Sequence, residues 1–155
     1  MEVVAREIAE GFLRRTGDAL LSGHFEAFAE CFAVPHVVEA PTGVVELETE
    51  SDLREKFMAM HVHLRDSGVT MLDRQYVSHN WLTPTSFKFT HKSRIVSGAS
   101  LIQKPFFTQS VEKRIDGVWL LIRSSYLVTD NPSHAAVLSA PTQSAGAVAD
   151  ETTGG

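Results

Sequence analysis

The sequence predicts an α+β domain, with a curved antiparallel or mixed sheet wrapped around three N-terminal helices in the order α-α-β-β-α-β-β-β-β. Helical periodicity fills most of the chain up to residue 67, and four strand-like runs follow between Val69 and Val128. The last two runs meet at Asp116-Gly117, within Val111-Glu-Lys-Arg-Ile-Asp-Gly-Val-Trp119. Asp-Gly between alternating apolar runs is the strongest short-range hairpin signal, because both central residues of the favoured turn need φ > 0. Helices segregated ahead of an antiparallel meander point to a sheet that covers them on one face.

The first helix is expected over Val3 to Leu21, with Ile8, Phe12, Arg15 and Ala19 on one stripe and Ala5, Leu13, Thr16 and Leu20 beside it. Ser22-Gly23 stops it, since Gly is the usual residue just past a helix end. Phe25, Phe28 and Phe32 then mark a shorter helix that Pro35 ends. His36 to Ala40 and Val44 to Thr49 read as a hairpin around Pro41-Thr-Gly43. Thr49 is the expected N-cap of the third helix, with Asp52 as its capping-box acid and Leu53, Phe57, Met60 and Leu64 as its core stripe. The remaining strands are placed at 70–82, 86–97, 104–115 and 118–129. On 86–97, Phe87, Phe89, His91 and Ile95 alternate with Lys88, Lys92 and Arg94.

A chain of 155 residues with 43% hydrophobic content fits one domain with one core, here residues 1–130. Residues 131–155 lack any aromatic residue, Lys or Arg, so they form a disordered or loosely ordered tail in this reading. A net charge of −5 without a basic stripe argues against nucleic-acid binding. No apolar run reaches membrane-spanning length, and the acidic N-terminus does not resemble a signal peptide. The lone Cys31 suits a reducing compartment, so a cytoplasmic protein is expected. The last strand is apolar on both faces, with Trp119 and Leu121 on one and Leu120, Ile122 and Tyr126 on the other. Helices cover one face; a second copy of the chain is the expected cover for the other, giving a homodimer through the sheet.

The element order, together with Leu20-Leu-Ser-Gly-His-Phe-Glu-Ala-Phe28, Pro41-Thr-Gly43, Thr49-Glu-Ser-Asp-Leu-Arg-Glu-Lys-Phe57 and Asp116-Gly-Val-Trp119, resembles the nuclear transport factor 2-like superfamily and its SnoaL-like group. The resemblance spans roughly residues 3–129. It implies a cone of curved sheet and helices with a pocket at the open end, usually in dimers. The superfamily includes isomerases, polyketide cyclases, dehydratases and epoxide hydrolases, and also binding and assembly modules. This chain departs from it at His24, where an Asp often follows the Gly, and at Pro35-His36, where an acidic residue is common. No catalytic residue is therefore carried over.

Three residues are the candidates for chemistry. His91 shares the apolar face of Phe87 and Phe89, where an imidazole can work in a dry cleft; the alternative is a core histidine with both nitrogens bonded. His36 begins the first strand at the wide end of the cone. Arg123, placed by alternation on the face of Trp119 and Leu121, could hold a developing oxyanion. Glu39 falls on the face opposite His36. Asp73, grouped by alternation with Val77, His79 and Trp81, could face inward, although a surface acid is the simpler reading. Tyr126 is assigned to the interface face. His61 and His63, two apart on a helix, diverge and cannot share a metal ion. No phosphate loop or metal motif is present, so no cofactor is expected. The expected function is a cofactor-independent isomerase, cyclase or dehydratase acting on a small hydrophobic carbonyl compound, or else a non-catalytic ligand-binding or dimerisation module.

Overall fold

Seven strands form one mixed sheet that curls around the helices. The computed structural model describes residues 2–128 and 131–142. Its elements are α1 (Glu2–Ser22), α2 (Phe25–Ala29), β1 (Phe32–Ala40), β2 (Gly43–Leu47), α3 (Glu50–Asp66), β3 (Met71–Thr83), β4 (Ser86–Ser97), β5 (Ser100–Leu101), β6 (Phe106–Ile115), β7 (Val118–Tyr126) and α4 (Pro132–Ser139). The strand order is β2-β1-β7-β6-β4-β3, with the short β5 paired to β4. All pairs are antiparallel except β1 with β7. The α+β order read from the sequence is therefore present, with two elements added: β5 and α4.

Local signals explain most of the boundaries. Asp116 and Gly117 have φ of 51° and 79°, as the β6–β7 hairpin requires. The Thr49 side chain accepts from Asp52 N at 3.1 Å, and an Asp52 carboxylate oxygen accepts from Thr49 N at 3.3 Å, completing the capping box of α3. Leu53, Phe57, Met60 and Leu64 are all buried. On α1 the buried stripe runs through Ala5, Ala9, Phe12, Leu13, Thr16 and Ala19. Arg15, expected on that stripe, is exposed and lays its guanidinium over the Phe12 ring.

The second helix is shorter than the aromatic spacing suggests. It stops at Ala29, and Phe32 already belongs to β1, where its ring stacks on Phe28 at 4.4 Å. Leu121 N donates to Cys31 O at 2.8 Å and draws the chain into the sheet. Pro35 lies within β1, where the register to β7 shifts between Phe32 and Val37, an irregularity that tolerates a residue without an N–H.

The expectation of a loosely ordered segment from residue 131 is corrected over 131–142. The Asn131 side chain caps α4 by accepting from His134 N, and Pro132 occupies the first turn. His134, Ala135 and Leu138 are buried. The helix has no charged residue of its own to favour it, so its order comes from outside. Lys56 Nζ, from α3, donates to Val137 O at 2.8 Å and Ala140 O at 2.6 Å, and Thr42 Oγ1 donates to Ala135 O at 3.0 Å. A cation on the last carbonyls is the stabilising sense for a helix C-terminus. Residues 143–155 of the expected tail lie outside the described residues. Replacing Lys56 by Met should expose α4 amides to hydrogen exchange by at least about tenfold while β4 and β6 stay protected, since the loss is confined to one docked element. Unchanged exchange in α4 would show that Lys56 does not hold it.

Candidate functional site

Two neighbouring cavities of about 60 Å³ each lie between the sheet and the helices. Leu20, Met60, Arg74, His91, Tyr126 and Leu138 line both. The first extends to His36, Lys56, Ser110 and Ser124, and the second to Ser93, Phe106 and His134. Each is well below the roughly 300 Å³ of an ordinary drug-sized site, so a compact occupant fits them best. Leu138 of α4 and Lys56 of α3 bring α4 against this space. Phe87, Phe89, Leu121 and the α1 side chains Phe12 and Leu13 pack a second apolar cluster, joined by Trp81 and Trp119.

The alternation of β4 delivers His91 to the interior as expected. It is 2% exposed, and neither ring nitrogen has a hydrogen-bond partner among the described residues. Burial, then the nearby Arg74 guanidinium, hold its pKa well below the ordinary histidine value. The imidazole is neutral at neutral pH and has one donor and one acceptor to offer.

His36 also faces inward, at 1% exposure, but both its nitrogens are engaged. Its Nδ1 is 3.2 Å from Leu121 O, so Nδ1–H donates there, leaving Nε2 to accept from Ser124 Oγ at 3.4 Å. Burial lowers its pKa to about 4. The structure thus separates the two histidines: His36 is hydrogen-bonded to β7, and His91 has no hydrogen bond among the described residues.

Arg123 is not in the site. The register of β6 with β7 shifts between Val111 and Glu112, so that Val111 pairs with Arg123 and Glu112 with Leu121. Ile122 is the extra residue of this β-bulge, and one extra residue exchanges the faces of everything beyond it. Arg123 therefore emerges on the outer face and forms an ion pair with Glu39, its side chain 47% exposed. Glu39 lies opposite His36, as alternation indicated. The same bulge turns Ser124 and Tyr126 inward, so Tyr126 lines the cavities rather than the outer face.

A second bulge does for β3 what the first does for β7. Tyr76 pairs with His91 and Ser78 with Thr90, leaving Val77 extra. Leu72, Arg74 and Tyr76 share the inner face with His79 and Trp81, and Asp73 points outward. Arg74, which strand alternation overlooked, is the cation of the site. Its Nη1 donates to Leu13 O at 3.2 Å and Thr16 Oγ1 at 2.8 Å. Among the described residues no carboxylate pairs with it. The sequence held a signal for it: Arg74 has the parity of Leu72 and Tyr76 in a strand that α1 must cover.

Glu112 is the other buried group that sequence reading passed over. It follows Thr108 and Ser110 on the inner face of β6, is fully buried, and neither carboxyl oxygen has a partner among the described residues. Burial pushes its pKa up to about 9. It lies one step beyond Ser110, between Phe87 and Leu121 in the ladder, and lines neither cavity. Cys31 is fully buried and its pKa is raised, chiefly by burial, which makes it a poor nucleophile. His61 Nδ1 is 2.6 Å from Leu20 O, whereas His63 packs against His134. Among the described residues no three His, Cys, Asp or Glu side chains converge as a metal site. Nor is any described helix long and apolar enough to cross a membrane.

Sheet, helices and cavity together define the nuclear transport factor 2-like, cystatin-like cone. The chain matches no protein-family model and no curated protein sequence. Solved structures carry the comparison. A Nostoc punctiforme protein of unknown function with a cystatin-like fold superposes with a TM-score of 0.64 at 18% identity, covering 83% of this chain and 96% of that one. A nuclear transport factor 2-like protein from Novosphingobium aromaticivorans gives 0.63 at 16% identity, covering 86% and 87%. A Streptomyces avermitilis protein, provisionally named a dehydratase of the same fold family, gives 0.60 at 13% identity, covering 83% and 98%. At these identities the likeness establishes the fold and leaves the activity open.

Proposed function

We propose that this domain binds a small, mainly apolar carbonyl compound and moves a proton on it without a cofactor, in the manner of an isomerase, cyclase or dehydratase. The carrying observation is His91, a buried imidazole in the cavity wall whose two nitrogens have no hydrogen-bond partner among the described residues. A base held this way needs no rearrangement of protein hydrogen bonds before it takes a proton. Arg74, two residues from the His91 partner Tyr76 along β3, takes over the role that alternation gave to Arg123: a fixed positive charge beside a developing oxyanion. The dehydratase name of the Streptomyces neighbour is compatible with this chemistry.

The test is deuterium incorporation at the α-carbon of small ketones and aldehydes in D₂O, followed by proton NMR. Wild type should exchange at least one compound, and His91→Gln should slow that exchange about 100-fold or more, the ordinary contribution of a positioned base. Equal exchange by both proteins would remove His91 from the chemistry.

The small cavity volume favours a second reading, a non-catalytic ligand-binding or dimerisation module. It predicts binding without exchange. Under either reading we propose a homodimer through the outer sheet face, where Phe107 and Leu127 are exposed beside the partly buried Leu120 and Ile122.

A further inference from the structure

We propose that the occupant of these cavities carries a negative charge: a compact carboxylic acid with a short apolar or aromatic tail, bound as its carboxylate by Arg74 and His91. The inference rests on the reading of the cavities as the working site and adds the ligand's chemical class.

The Arg74 guanidinium has five N–H groups. The two contacts to α1, on Leu13 O and Thr16 Oγ1, both come from Nη1. The three N–H groups on Nε and Nη2 meet no acceptor among the described residues. That Nε–Nη2 edge is the side-on fork that matches the two oxygens of a carboxylate. Arg74 is half-buried and also borders an outer groove with Glu10, Asp18 and Asp73, but among the described residues none of these carboxylates pairs with it, so an anion in the cavity can take the free fork.

The surroundings agree in sign. Among the described residues no Asp or Glu lines either cavity. The buried acids are elsewhere: Asp52 is bound into the capping box, and Glu112 lies beyond the cavity floor. Lys56 also lines the first cavity, but its ammonium is directed to the carbonyls of Val137 and Ala140. Among the described residues that leaves Arg74 as the charge open to a ligand. His91, on the adjacent strand, supplies a ring N–H for the second interaction. The remaining common wall, Leu20, Met60, Tyr126 and Leu138, is suited to a tail of a few carbons or one ring.

Calorimetric titration of the full chain with matched pairs tests this: butyrate against butyramide, hexanoate against hexanamide, benzoate against benzamide. At least one acid should bind about tenfold or more tightly than its amide. Arg74→Gln should abolish that preference, and Arg74→Lys should keep part of it because charge without the fork remains. Leu138→Trp, with Arg74 intact, fills the shared cavity wall and should abolish binding of the acid, which keeps the test valid if Arg74→Gln fails to fold. Amides or ketones that bind as well as the acids would overturn the anionic ligand and leave the proposed carbonyl chemistry standing. Acid binding that survives in Leu138→Trp would be surface binding and would overturn the inference. No binding of acids, amides or ketones by folded wild type would remove both readings.

Discussion

Glu112→Gln should flatten the pH dependence of stability. Burial pushes the pKa of the Glu112 carboxyl from the ordinary 4.5 up to about 9 in the folded chain, with the Arg15 charge opposing the rise. The folded state therefore holds a proton that the unfolded state releases above pH 4.5. Stability linked to this group is complete below 4.5 and falls as pH rises, until the folded carboxyl itself ionises near 9. The slope inside that window is about 1.4 kcal/mol per pH unit. Gln copies the neutral acid in shape but cannot ionise. Wild type and variant should therefore unfold at similar urea concentrations near pH 5. Near pH 7.5 the variant should be more stable by on the order of 3 kcal/mol. Parallel pH profiles for the two proteins would mean that Glu112 reaches water or a partner in the folded state.

Phe57→Ala should be the most damaging single truncation in α3. The ring is 1% exposed, sits edge-on to Phe25 at 5.6 Å between centroids and lies 4.7 Å from Phe28. Removing a buried Phe costs about 3–5 kcal/mol, and the upper end applies where neighbours cannot collapse into the gap. Here the gap opens into the existing cavity, which Phe57 lines, so little collapse is expected. For a domain of this size the midpoint should fall by roughly 10 °C. Met58→Ala, one position along the helix and 41% exposed, is the control and should change stability by less than about 0.5 kcal/mol. A loss below about 1 kcal/mol for Phe57→Ala would mean that the aromatic cluster does not hold α2 and α3 together.

The features legible in the sequence share a cause. A capping box, a Gly past a helix end, an Asp-Gly turn and a 3.6-residue apolar stripe are set by interactions within a few residues. Thr49 with Asp52, Asp116-Gly117 and the Leu53-Phe57-Met60-Leu64 stripe could be read for that reason, and they define the α+β order. His91 was legible because β4 is regular over the stretch that carries it, so parity holds from Phe87 to Ile95. His36 was legible as a position, but its bonds to Leu121 and Ser124 join residues 85 and 88 positions away.

Tertiary structure decided the cation of the site. Alternation assumes an unbroken ladder, and single extra residues at Val77 and Ile122 break it in β3 and β7. The first bulge groups Arg74 with the inner residues and sends Asp73 out. The second sends Arg123 out to Glu39 and brings Tyr126 in. Helix α4 was hidden for a related reason: its own residues are small and neutral, and the cation that fixes its last carbonyls stands 81 residues earlier, on α3. Local chemistry in the chain determined which elements form and where they begin and end. Which side chains meet in the cavity depends on strand register and on contacts between distant residues, which exist only once the sheet has closed around its helices.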